Sequence, residues 1–249
     1  MEGNLVPDSI SLSDTQLIRG SLALAQFRLD DLKAANNTLD HLLPEHPGFD
    51  DALYLKGLVD LSLISEVSIF KKISTAKSAL DSWQRAVGAN PKNLDAHYAL
   101  FAFYANAPRI AGGDLKEAAI LQARLADMDE GYGALAQGLL ESQLGNLEFA
   151  EVKFVEASQL LNRAGGYFAL AQFYLQQERY INVISSIEAF VAADKRWFDP
   201  DPAVAHLFLA RAHAGLGEKD EARAQLDLAL EFTPNRRVRK LIDEALSDL

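Results

Sequence analysis

The chain has no cysteine and only two methionines and two tryptophans in 249 residues. The missing thiols exclude a disulfide-stapled scaffold, a cysteine nucleophile and a thiolate zinc site, and they leave the compartment open. Long apolar runs are missing as well: none approaches the ~18 residues needed to span a bilayer, so no membrane insertion is expected. Positive charge is in short supply, with 24 Lys and Arg against 35 Asp and Glu, a net charge of −11. Phosphate backbones and anionic lipid surfaces therefore find little to attract them in the chain as a whole, and nucleic acid is not an expected partner.

What is present is apolar and helix-favouring. Hydrophobic residues make up 49 % of the chain, which excludes a disordered one, and 39 Leu and 38 Ala supply most of them. Apolar positions recur at i, i+3, i+4 and i+7, the period of a helix rather than a strand. Proline marks the expected breaks. Pro44, Pro47, Pro91, Pro200, Pro202 and Pro234 are expected between helices, Pro108 in the loop Asn106 to Asp114, and Pro7 in a polar N-terminal segment. Gly165-Gly166 reads as a tight turn. The chain is expected to be all-α, built from about a dozen short helices.

An internal period confirms the order. In Ala203 to Asn235, Leu209-Ala210, Gly217, Ala222, Leu226, Ala229 and Pro234 are spaced as in one unit of two antiparallel helices. Ala79, Trp83, Ala86 and Pro91 repeat its second half, as do Ala150, Phe154 and Ala157. Tyr167, Leu170-Ala171 and Tyr174 repeat its first half. Leu22-Ala23, Ala35, Leu39 and Pro47 give a weaker copy. The pattern resembles the tetratricopeptide repeat, whose unit is about 34 residues. The resemblance implies a right-handed α-solenoid of six helix-turn-helix units at about 16–49, 50–93, 94–130, 131–163, 164–202 and 203–236. An N-terminal segment, 1–15, precedes them, and a capping helix, 237–249, follows, with Val238, Leu241, Ile242 and Leu246 on one face. Extra residues fall near 66–75, 108–113 and 195–199. In unit 94–130 the second helix can be registered on Ala118 or on Ala119. Small residues at Ala79, Ala86, Ala222 and Ala229 would let helices approach, while Trp83, Phe154, Leu209 and Leu226 fill the space between pairs.

Candidate chemistry is thin. His206 and His213 stand seven apart, two helical turns, where metal ligands sit three or four apart; a packed, hydrogen-bonded imidazole is the better expectation. Gly112-Gly113-Asp114 precedes a helix but no Lys-Ser or Lys-Thr completes a phosphate loop, so Asp114 is expected to be an N-cap. No Gly-x-Ser-x-Gly occurs, and no cofactor, metal or catalytic group is expected.

The resemblance directs attention to the concave face, where the first helix of each unit lines a groove. Carried onto this chain, the groove positions are Tyr54, Leu58, Tyr98, Tyr132, Leu135, Phe168, Gln172, Leu207 and Arg211, with Leu61 and Ala102 beside them. Basic residues are few there, so the carboxylate clamp of the chaperone-adaptor members is not expected. The trough suits a protein or peptide partner, an apolar extended segment or an amphipathic helix. Tyr54, Tyr98 and Phe168 are expected at the ligand rather than in the core. The alternatives are a self-associating assembly module, a homo-oligomer, and a small-molecule site at the 106–114 loop. The Met1 start shows no charged and apolar leader, so the chain as written is expected in the cytoplasm; a trimmed signal would place it in the periplasm.

Overall fold

The computed structural model describes residues 14–161, 164–194 and 199–249, so the 1–13 stretch and most of the 195–199 insertion lie outside the described residues. Among the described residues every regular element is helical. The order is α1 Asp14–Arg28, α2 Leu32–Glu45, α3 Asp50–Leu63, α4 Ile69–Ala89, α5 Leu94–Asn106, α6 Leu115–Met128, α7 Glu130–Leu144, α8 Leu147–Leu161, α9 Ala164–Gln176, α10 Tyr180–Ala192, α11 Pro202–Leu216, α12 Lys219–Glu231 and α13 Arg236–Ser247. Each helix packs on the next in sequence, and α1, α3, α5 and α7 also touch in succession, forming one wall. The result is an α-solenoid.

The pairing rests on size at the crossings. Ala35, Ala79, Ala86, Ala118, Ala150, Ala157, Ala222 and Ala229 are fully buried, and Trp83, Phe101, Phe190, Leu39 and Leu226 fill the space they leave. In the α5–α6 pair the structure chooses Ala118, fully buried, over the exposed Ala119. The α3–α4 crossing is also tied by polar bonds. Trp83 Nε1 donates to the Tyr54 carbonyl at 3.1 Å, and Ser78 Oγ to buried Asp60 at 2.7 Å. Lys56 Nζ meets the same Asp60 carboxylate at 2.6 Å, which gives that buried charge its counterion.

Four turns inside pairs share one geometry. After α7 and α11 the chain enters the left-handed region at Gly145 and Gly217, and the following amide reaches back to the carbonyls of Glu141 and His213 at 2.9 Å. Asp30 and Glu178 occupy the same slot after α1 and α9, at φ 60° and 56°, with the same backward bonds to Gln26 and Tyr174. The connections within α3–α4 and α5–α6 are longer, and most of the surplus at 66–75 lengthens α4 itself.

Three expectations are corrected. Pro44 lies inside α2 rather than after it; it sits in the last turn, where the amide it lacks interrupts only the end of the hydrogen-bond ladder. Pro202 likewise opens α11 instead of preceding it, at the first turn, where proline is favoured. Gly165 and Gly166 belong to α9 and make no turn; a Cβ on Gly166 would stand 3.0 Å from the Ser158 Cα, so the residue serves close approach of α9 to α8.

The stack bends until its ends meet. Asn235 Nδ2, just before α13, donates to the Arg28 carbonyl at 3.4 Å, and Arg237 stands 3.6 Å from the Asp30 carboxylate. Arg237 also donates to the Ser62 carbonyl at 3.3 Å, Arg236 lies 3.9 Å from Glu66, and Arg28 donates to the Asp199 carbonyl at 3.4 Å. Meanwhile Val238 and Ile242 of α13 are buried, with Leu241 and Leu246 packed beside them, in a cluster with Leu207, Leu226 and Ala229. One face of α13 thus covers the last pair while its first turn touches the first two.

Candidate functional site

The inward side of α3, α5, α7 and α9 leaves two cavities that share a wall. Six of the nine groove positions, Tyr54, Tyr98, Tyr132, Leu135, Phe168 and Gln172, line one of about 220 Å3. The other, about 500 Å3 and almost wholly apolar, is lined by Leu58, Leu61, Ile64, Ala76, Ala99, Ala102, Phe103 and Trp83, with Tyr54 and Tyr98 between the two. Residues 106–108 and Ala111 close one end of the apolar cavity, so the long α5–α6 connection serves as its wall.

Why the space exists follows from the crossing. Gly57 and Trp83 bring α3 and α4 together on one side of α3, leaving Leu58 half-buried and Leu61 45 % exposed on the other. α5 faces them with the small residues Ala99 and Ala102, both half-buried. Large residues behind and small ones in front leave a hollow.

The smaller cavity has a polar rim. Tyr132 donates its hydroxyl to the Asp95 carboxylate, and its own amide is capped by Asp129 Oδ1 at 2.9 Å. Asp51, at the start of α3 and outside the cavity lining, has its carboxyl pushed above the usual range by desolvation and by the neighbouring Asp50 and Asp95 charges. The Tyr98 phenol is pushed far up by desolvation alone, so it stays neutral as a wall residue, in edge contact with Tyr132. Asp199 and Pro200 complete the rim.

Tyr54, Tyr132, Leu135 and Phe168 are buried, and Phe168 also packs on Phe190 and Phe208 with ring centres 5.4 and 4.8 Å apart. These side chains are at once wall and core. Tyr98 and Leu58 are half-buried and Gln172 is exposed. Leu207 is 2 % exposed and sits in the terminal core, while Arg211 borders a separate hollow against Leu241 and Glu244 of α13. Sequence reasoning named part of the apolar cavity's lining, Tyr54, Leu58, Leu61, Tyr98 and Ala102, but not its floor, Trp83, which carries the signature of a core residue.

The remaining candidates are structural. His206 Nδ1 and Gln225 Oε1 are 2.8 Å apart and the ring stacks on Phe232; His213 Nδ1 lies 2.7 Å from Glu218. Asp114 caps α6 through the Lys116 amide at 2.8 Å. Among the described residues no three His, Asp or Glu side chains gather as a metal site, and no helix is long and apolar enough to cross a membrane.

Paired helices stacked into a wall with an inner groove define a helical-repeat protein. The model of the tetratricopeptide repeat matches residues 187–244, from within α10 to within α13, so this stretch is similar to that repeat. No curated protein matches the chain. Solved structures show the same fold across 93 % of the chain. A tetratricopeptide repeat protein from Parabacteroides merdae is 17 % identical, with 83 % of its own length covered and a TM-score of 0.61. A thermophilic one from Thermus thermophilus is 21 % identical, with 98 % covered and a TM-score of 0.52.

Proposed function

We propose that the chain is a non-enzymatic scaffold that holds an apolar segment of a protein partner against α3 and α5. The observation that carries this is the apolar cavity of about 500 Å3, with Leu58, Leu61, Ala99 and Ala102 open to it. A hollow of this size and lining removes Leu, Ile or Phe side chains from water at about 1.5–3 kcal/mol each, and an amphipathic helix presents them at i, i+3 and i+4. Tyr98 and Gln172 extend the surface toward α9 and supply the polar contacts that fix register. Under this reading the six helix pairs are six repeats with the boundaries 16–49, 50–93, 94–130, 131–163, 164–202 and 203–236, and 237–249 is their cap.

The test is selection from a displayed peptide library on the full chain, then on Leu61→Asp and Ala102→Arg. Apolar or amphipathic sequences enriched on the wild type and lost on both variants support the reading. Enrichment of acidic sequences, or of the same sequences on all three proteins, defeats it. A second reading, a small apolar ligand, is favoured by the closure of the cavity by residues 106–108 and Ala111; a metabolite screen by thermal shift distinguishes it.

A further inference from the structure

α4 is longer than its partner can cover. Trp83 faces Tyr54 and Ser78 faces Asp60 across the antiparallel pair, so counting back along both helices sets residues 74–75 opposite Leu63, the end of α3. Residues 69–73 therefore project past α3, about 7.5 Å at 1.5 Å per residue. The projecting residues read Ile-Phe-Lys-Lys-Ile. Phe70 is 92 % exposed and Ile69 72 %, and Lys71 and Lys72 make no ion pair among the described residues. Two adjacent large apolar side chains in water need an explanation that a lone exposed leucine does not.

The closure of the stack adds a second feature at the same edge. Arg236 lies 3.9 Å from Glu66 and Arg237 3.3 Å from the Ser62 carbonyl, just ahead of the projecting turns. α13 opens Arg-Arg-Val-Arg-Lys, four cations in five residues. With Lys71 and Lys72 these make six cations, against Glu66, Asp30, Asp243 and Glu244 as counter-charges, in a chain whose net charge is −11. Arg236 and Arg237 bring positive charge to the edge from which Phe70, Lys71 and Lys72 project.

We propose that this edge is a docking surface for an anionic lipid bilayer, with Ile69 and Phe70 entering the headgroup layer and the lysines and arginines around them meeting lipid phosphates. Apolar side chains flanked by basic ones are what an interfacial anchor requires; a nucleic acid would use the charges and leave Phe70 without a role. The acidic remainder opposes this only weakly, because salt screens exposed charges beyond about 8 Å. Ile64 and Ala76 line the apolar cavity and border the projecting turns, so docking holds the cavity near the bilayer. The inference goes beyond the groove reading and does not rest on it.

The experiment is co-sedimentation of the full chain with vesicles of phosphatidylcholine alone and of equal parts phosphatidylcholine and phosphatidylserine, at low and high salt. Binding is expected on the anionic vesicles only and weakens as salt rises. Removing one cation costs about fivefold, so Lys71→Gln with Lys72→Gln loses at least about twentyfold, and Phe70→Ser about tenfold. The high exposure of these residues means that melting temperatures stay at the wild-type value. No sedimentation with either vesicle, equal sedimentation with both, or binding indifferent to these substitutions overturns the proposal. A wild type that ignores vesicles but shifts duplex DNA in a gel, with the shift lost in the lysine variant, assigns the patch to nucleic acid and overturns it as well.

Discussion

Gly57 and Leu58 are neighbours on α3 and meet opposite surroundings. On the Gly57 side nothing more fits: a Cβ there would stand 2.3 Å from Trp83 Nε1. On the Leu58 side a cavity of about 500 Å3 remains. The other pairs show how the tight side is built. Gly138 faces Phe154 at 3.0 Å in α7–α8, whereas α11–α12 uses Ala210 with the smaller Leu226 in one core. Volume is traded across the crossing, a glycine with an aromatic or an alanine with a leucine. The tight side sets stability, and the open side is left for binding.

The largest effect should come from emptying the tight side. Trp83→Ala is expected to cost about 3–5 kcal/mol in denaturant unfolding, since it removes a fully buried ring and its bond to the Tyr54 carbonyl. Gly57→Ala should cost less, about 1–3 kcal/mol, by overpacking. The trade makes a sharper demand. Gly57→Ala combined with Trp83→Leu reproduces the arrangement of α11–α12, so the double variant should unfold at a smaller cost than the two single changes added together. Additivity would show that the two residues do not share one space.

A pH effect follows from His97, also buried, in α5. Its Nδ1 lies 2.9 Å from the Asn93 carbonyl, Nε2 finds no hydrogen-bond partner among the described residues, and burial pushes its pKa below the ordinary 6.5. The unfolded chain therefore takes up the proton first. Stability from this group is complete above about pH 6.5 and falls as the pH drops below it. His97→Leu should flatten that part of a melting-temperature profile; an unchanged slope would place its origin elsewhere. The smallest effect is a gain. Glu178, exposed and at φ 56°, holds a left-handed slot that Gly145 and Gly217 fill without strain, so Glu178→Gly should stabilise by about 1 kcal/mol. A loss of stability would mean that the side chain contributes more than its backbone costs.

These contrasts also show what the sequence could reveal. The helix crossings were legible because size is written residue by residue: Ala79, Ala86, Ala222 and Trp83 announce close approach and filling. The meeting of the ends was not, because Arg28 and Asn235 are far apart in sequence and their contact sums small rotations over every intervening pair. The apolar cavity is space that residues leave, and only a three-dimensional arrangement shows it. Tyr54 and Phe168 were assigned to the groove by position; the structure places them on its wall and in the core at once, because a side chain spanning the first-helix layer touches both. Gly165-Gly166 misled because paired glycines serve close approach as readily as turning.

The central claim is that the open side of α3 binds while the tight side holds the fold. It is tested most directly by titrating the tightest selected peptide, by calorimetry, into the wild type, Leu61→Asp and Ile120→Asp. Both residues are exposed, at 45 % and 62 %, so both variants should melt close to the wild type. Only Leu61 borders the cavity. The account predicts that Leu61→Asp weakens binding at least tenfold, about 1.4 kcal/mol, while Ile120→Asp leaves it unchanged. Equal affinity for all three proteins would contradict it.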